Sequence, residues 1–170
     1  MQLVFEVQMS AAEYAARQKE LPCPVIPSCP ICLARITLVG HGFYPRNGLP
    51  SAAEELAFYI RRLLCPVCRK TVSLLPSFLV PYFQYTVDFI VRSVRTRLSA
   101  YRQLLQFHSR RFMRNLNLVQ GFFRERGFRE ELPTPPKQKA IKLLELIEDS
   151  GASKFSTLFH KHHQRGFMAL

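Results

Sequence analysis

Apolar residues recur along this chain with two different periods, and the change from one to the other divides it. Residues 2–7, QLVFEV, are apolar with a β-branched and aromatic bias, which predicts a short strand. In SAAE, Ser10 can cap a helix and Glu13, three residues on, completes a capping box. A helix is therefore expected from there to about Lys19 or Glu20. LPCPVIPSCP holds too many prolines for a regular element and reads as an extended lead-in. Across 29–79 the pattern is one of short strands and turns. RITLVGHGFYPRNG is a strand ending in the turn signal Asn47-Gly48, SAAEEL a polar loop or single helical turn, AFYIRRLLC a second strand and KTVSLL a third.

From Tyr85 the period becomes helical, with Val87, Ile90, Val91, Val94, Leu98, Tyr101 and Leu105 recurring at three and four residues. Ser109 is a candidate cap for a further helix that carries Phe112, Leu116, Val119 and Phe123 on one stripe and ends at Gly127. LPTPPK is a linker or sharp corner. KQKAIKLLELIED is an amphipathic helix stopped by Ser150-Gly151, and 153–170 reads as a tail whose HKHH is expected to be solvated.

Five cysteines change the picture of the strand-rich part. Cys23 stands alone among prolines, while CPIC at 29–32 and CPVC at 65–68 form two tight pairs. Each C-x-x-C turn brings two thiolates to one side of the backbone, so two facing turns supply the four soft ligands of a closed tetrahedral Zn²⁺ site. Cys29, Cys32, Cys65 and Cys68 are the candidate ligands. With no open position the ion is structural, and much of the stability of the β region depends on it. The alternative is two pairs of buried or redox thiols, although a redox pair is expected singly, beside a βαβ pattern. Met1 leads straight into QLVFEV with neither a basic segment nor a small-residue cleavage site, so a secretory signal is not expected, and metal-bound thiolates fit a reducing, cytoplasmic setting. The expected fold class is α+β: a small zinc β-ribbon followed by an α-helical, helix-turn-helix-like region. The expected parts are 1–84 (strand, helix and ribbon), 85–130 (basic helices) and 131–170 (linker, amphipathic helix and tail).

The apolar run LLPSFLVPYFQYTVDFIV has the length of a membrane span, but Pro76 and Pro81 break it, Gln84 and Asp88 interrupt it, and Arg92 and Arg95 follow at once. A proline-kinked connector that packs into the core, followed by an amphipathic helix, fits better, and no membrane partner is expected.

Charge then points to a partner. The chain has 24 Lys+Arg against 12 Asp+Glu, a formal +12. Within 92–129 stand ten arginines, no lysine and one acid, Glu125. Guanidinium forks suit phosphates and guanine edges. A helix-turn-helix would cap one helix at Ser99, turn near QFHS and start its recognition helix at Ser109. Arg110, Arg111, Arg114 and Asn115 would then lie on the first turns of that helix, off the apolar stripe. Arg92, Arg95 and Arg102 add to the same surface, and Arg69 and Lys70 flank the second cysteine pair. The bland alternative is a solvated face, or arginines that meet acids on a partner protein.

The run SCPIC…HGFYPRN…YIRRLLCPVCRKTVSLLPSFLVPYFQY resembles the zinc-ribbon N-terminal regions of bacterial insertion-sequence transposases and their stand-alone relatives of unassigned function. The resemblance spans about 25–125. It implies Cys29, Cys32, Cys65 and Cys68 as zinc ligands and duplex DNA as partner, with a transposase or another protein as a further one. Strand transfer in that class needs three carboxylates on two metal ions in a large RNase H-like domain. Only two Asp are present, and too little chain follows residue 130 for such a domain. The expectation is therefore a non-enzymatic zinc-ribbon DNA-binding accessory or remnant. The alternative is a zinc-stabilised protein-interaction adaptor without nucleic-acid contact.

Overall fold

The computed structural model describes residues 1–51, 53–96 and 102–169. The fold is α+β, with a four-stranded sheet and six helices among the described residues. In chain order these are β1 (Gln2–Phe5), α1 (Ala11–Arg17), β2 (Val39–Gly48), β3 (Leu56–Leu64), β4 (Thr71–Pro76), α2 (Val87–Thr96), α3 (Arg102–Arg114), α4 (Leu116–Glu125), α5 (Pro136–Asp149) and α6 (Ala152–His163). The sheet order is β1-β4-β3-β2; the last three strands form an antiparallel meander and β1 joins β4 in parallel.

The capping box opens α1 as expected. The Glu13 amide donates to Ser10 Oγ at 3.2 Å, and the Ser10 amide donates to Glu13 Oε2 at 2.8 Å. One turn later the same helix seals a sheet edge. β4 pairs with β3 only from Arg61 onward, so the earlier part of β3 lacks a partner on that side. The Gln18 amide takes the place of a peptide there. Its Oε1 accepts from the Tyr59 amide at 2.6 Å, and its Nε2 donates to the Ala57 carbonyl at 3.3 Å.

Asn47-Gly48 is not the hairpin turn. Both residues lie in β2, paired with Ala57 and Leu56. Glycine stands at 48 because the Phe58 ring lies against it: a Cβ would fall 2.5 Å from Phe58 Cε2. Period-2 alternation sorts the strand residues into two small cores. Val4, Phe58, Ile60 and Leu75 pack with Tyr14 and Phe78, while Leu63, Val72 and Leu74 pack with Cys29 and Cys65.

The apolar run after the second cysteine pair is divided between β4, a buried connector and α2. No helix among the described residues is long and apolar enough to cross a membrane. Leu79 and Val80 of the connector are essentially inaccessible to solvent. Arg46 on β2 holds it, its Nη2 donating to the carbonyls of Val80 (2.7 Å) and Phe83.

The expected turn at QFHS does not exist. α3 runs helically from 102 to 114 with Ser109 in its middle, and the chain breaks at Asn115 instead. The expected cap at Ser99, together with Arg97, Leu98 and Tyr101, lies outside the described residues. The C-terminal stretch is not a solvated tail. α6 inserts Phe155 and Phe159 into the helical core beside Phe112, Phe122, Leu143 and Ile147, and Phe167 and Met168 follow them with no accessible surface. His160 is buried as well. Apolar residues scattered over 153–170 give a weak period, and it takes the other helices to bury them.

Gly48→Ala tests the close packing of β2 on Phe58. The ring must move to admit the methyl, at a cost of about 1–3 kcal/mol, read as a lower midpoint in chemical denaturation with an unchanged slope.

Candidate metal centre and basic surface

The two cysteine turns are built alike. In the first, the Cys29 amide donates to the Ala34 carbonyl (2.9 Å) and the Leu33 amide returns a bond to the Cys29 carbonyl (2.9 Å). In the second, Cys65 donates to Lys70 (3.0 Å) and Arg69 to Cys65 (2.9 Å). Leu33 and Arg69, each directly after the second cysteine, are left-handed at φ 60° and 59°. That conformation closes each turn around its two sulfurs, at an energetic cost for a residue with a side chain. β3 delivers Cys65 straight from the sheet and β4 carries the chain away.

The turns face each other. All four sulfurs, from Cys29, Cys32, Cys65 and Cys68, lie within 4.8 Å of one another. The two cross-turn contacts, Cys29–Cys68 and Cys32–Cys65, are each 3.8 Å. Four sulfurs at about 2.3 Å from a central ion form a tetrahedron whose edge is about 3.8 Å, so the spacing fits a thiolate metal site. Cys29 and Cys65 are sealed against the sheet, Cys68 is half-buried and Cys32 is exposed. This gives an ion one side in the core and one near solvent. The Ile31 amide also donates to Cys29 Sγ at 3.4 Å. The Cys32 amide above all, offset by burial and helped by the Ile31 amide and the thiols of Cys32 and Cys65, lowers the Cys29 thiol to about 6. Cys32 is driven the other way. The Ala34 amide pulls it down, but burial and the neighbouring thiols of Cys29, Cys68 and Cys65 outweigh this and lift it to about 11. Four thiolates cannot all ionise this close together without a cation between them. An ion held by all four cysteines would have no open position.

Among the described residues these four cysteines are the one group of three or more His, Cys, Asp or Glu side chains placed to hold an ion. Cys23 is apart from them, half-buried, its thiol 3.6 Å from the Pro24 carbonyl. The histidines of HKHH disperse: His162 pairs with Glu125 at 2.8 Å, His163 packs on the Phe159 ring, and His160 is buried.

The expected DNA-facing residues fall into two groups. Arg102, Arg110 and Arg114 are exposed on α3, and Arg69 and Lys70 are exposed beside the second cysteine turn. Arg92 is exposed on α2, with its Nε 3.4 Å from the Asp88 carbonyl. The rest are engaged by the protein. Arg95 forms an ion pair with Glu148. Arg111 donates to the Met168 carbonyl at 3.3 Å and lies over the rings of Phe83 and Phe107. Asn115 is withdrawn from base reading altogether. It is buried, its Nδ2 donates to the carbonyls of Arg111 (3.1 Å) and Ala169 (2.7 Å), and its Oδ1 accepts from Arg165 at 3.2 Å. It fills the break between α3 and α4 and fastens the end of the chain to it. Arg124, Arg126 and Arg129 likewise donate to carbonyls at the end of α4 or just beyond it. Sequence reasoning missed the roles of Arg46, Asn115 and Arg165. Each has a partner 34 to 54 residues away, and no local spacing signals such pairs.

Residues 29–106 match a family described as a domain of unknown function (DUF6431). The match contains all four clustered cysteines, the β2–β4 meander, the connector and α2. No curated protein and no solved structure matches the chain.

Substitutions separate the roles. Replacing any one of Cys29, Cys32, Cys65 and Cys68 by Ser is expected to abolish stoichiometric metal binding, read as loss of the thiolate-to-metal charge-transfer band in the cobalt-loaded protein, whereas Cys23→Ser retains it. Asn115→Ala leaves buried carbonyls and the Arg165 guanidinium short of a partner, at about 2 kcal/mol, seen as a fall of roughly 5 °C in melting temperature.

Proposed function

We propose that this protein is a non-catalytic, cytoplasmic DNA-binding protein built on a structural Zn²⁺ ribbon, related to the zinc-ribbon regions of insertion-sequence transposases and acting as an accessory or remnant of one. Zinc is favoured among thiophilic ions because an all-cysteine tetrahedral set is its usual structural shell and asks for no redox chemistry.

The observation that carries the DNA reading is the outer stripe of α3. Arg102, Gln106, Arg110 and Arg114 follow one another at intervals of four residues, all are exposed, and the helix contains no acid. At 1.5 Å per residue the stripe is about 18 Å long, enough to span several phosphates along one groove edge. Arg69 and Lys70 supply a second exposed basic pair on the metal-bound turn. Because Asn115 is buried and Arg111 is engaged, the reading that fits is phosphate contact by α3 rather than base readout by a recognition helix. The protein's +12 net charge supports the same partner through long-range attraction.

Salt titration tests this. Binding of the metal-loaded protein to a duplex oligonucleotide, followed by fluorescence anisotropy, is expected to weaken steeply with salt. If three arginine–phosphate contacts come from α3, changing Arg102, Arg110 and Arg114 together to Gln flattens the plot of log K against log salt by about 3. A flat salt response in the unaltered protein, with a protein partner that stays bound at high salt, supports the adaptor reading instead.

A further inference from the structure

Between the first residues of β1, the connector, α3 and the last turn of the chain lies a cavity of 470 Å³. Gln2, Tyr82, Phe83, Arg111, His160 and Arg165 line it, and no Asp or Glu does. The two guanidiniums are placed as a pair. Arg111 Nη1 donates to the carbonyl of Met168 at 3.3 Å, and Arg165 Nη2 donates to the next carbonyl, Ala169, at 3.2 Å and to Asn115 Oδ1 at 3.2 Å. Carbonyls of consecutive residues thus anchor the two guanidiniums to the same turn, and the buried Asn115 holds the Arg165 side chain there.

Neither guanidinium meets an acid in any ion pair among the described residues. Each has five N–H donors, and the carbonyls and amide take one or two. Arg165 Nε is in addition a buried donor with no partner among the described residues. Two guanidiniums on one cavity wall repel each other where no acid among the described residues lies between them, and a buried donor without a partner is costly. Both costs fall if an anion with several acceptor oxygens sits between them. A phosphate matches that demand better than a carboxylate, whose two oxygens one guanidinium already satisfies. At the mouth stands Tyr82, 87% exposed, a flat apolar ring beside the charged wall. The volume lies in the usual range for small-ligand sites, about 300–1,000 Å³.

We propose that this cavity is a nucleotide-phosphate site, with Arg111 and Arg165 holding the phosphate and Tyr82 the base. The ligand is a free mononucleotide or the phosphorylated end of a DNA strand. The proposal is independent of the duplex surface on α3.

Calorimetric titration of the full chain, loaded with metal, tests it with four probes: adenosine 5′-monophosphate, adenosine, and an octanucleotide with either a 5′-phosphate or a 5′-hydroxyl. The monophosphate is expected to bind at least tenfold more tightly than adenosine. Arg165→Gln and Arg111→Gln should each weaken it at least tenfold, Tyr82→Gly should weaken it severalfold, and Arg110→Gln should leave it unchanged. Arg111→Lys, which keeps the charge, serves where Arg111→Gln does not fold, and should retain part of the binding. A 5′-phosphate that raises oligonucleotide affinity identifies strand ends as the source; a monophosphate that binds while the phosphate on the oligonucleotide has no effect identifies the free nucleotide. The proposal is overturned if neither phosphorylated probe binds, or if folded Arg165→Gln binds the monophosphate as tightly as the unaltered protein. The variant altered at Arg102, Arg110 and Arg114 should keep monophosphate binding even as it loses duplex DNA, so the two sites fail separately.

Discussion

Four sulfurs within bonding distance of one point are the constraint on which the strand-rich half of this protein rests. The two turns that carry them are separated by 32 residues, and those residues are mostly the lead-in to β2, β2 itself and β3. Closing the turns on each other therefore sets the register of the whole meander. The apolar cluster beside the sulfurs is small, with Leu38, Leu63, Val72 and Leu74 as its buried aliphatic members. A core of that size is a weak source of stability by itself. Thiolates this close together repel each other, so an ion held between them would add its binding free energy to the stability of the fold.

The sheet is tied to the helices by side chains rather than by a shared apolar layer alone. Arg46 reaches from β2 to the carbonyls of Val80 and Phe83, residues that also belong to the helical core. Burial lowers the pKa of that guanidinium from its ordinary value. The charge survives because carbonyl oxygens replace the lost water, and removing either side leaves the other buried and unsatisfied. Asn115 does the corresponding work at the far end, where a break in the helix exposes carbonyls and amides that a side chain can join to the last turn.

The arginines of 92–129 divide their labour in a way that net charge cannot reveal. Those at the end of α4 donate to carbonyls whose partial negative charge they complement. Arg95 is paired with Glu148, and Arg111 is turned inward over aromatic rings. On α3 the exposed arginines are reduced to a narrower stripe of Arg102, Arg110 and Arg114.

Local chemistry determined much of this protein from the sequence alone. The capping box of α1 was legible because Ser10 and Glu13 act within one turn. The stop at Ser150-Gly151 was legible because glycine takes the positive φ that other residues resist, and the four-cysteine set because two identical turns need only face each other. Tertiary structure alone decided the rest. Gly48 mimics a turn glycine, but it serves the Phe58 ring packed against it. Ser109 mimics a helix cap, but continuous burial of His108 and Phe112 carries α3 through it. Asn115 mimics a base-reading residue, but its partners come from the end of the chain, and the apparent tail enters the core only because α4 and α5 present an apolar face for it. In each case the deciding partner lies far away in sequence, where neither periodicity nor spacing carries information.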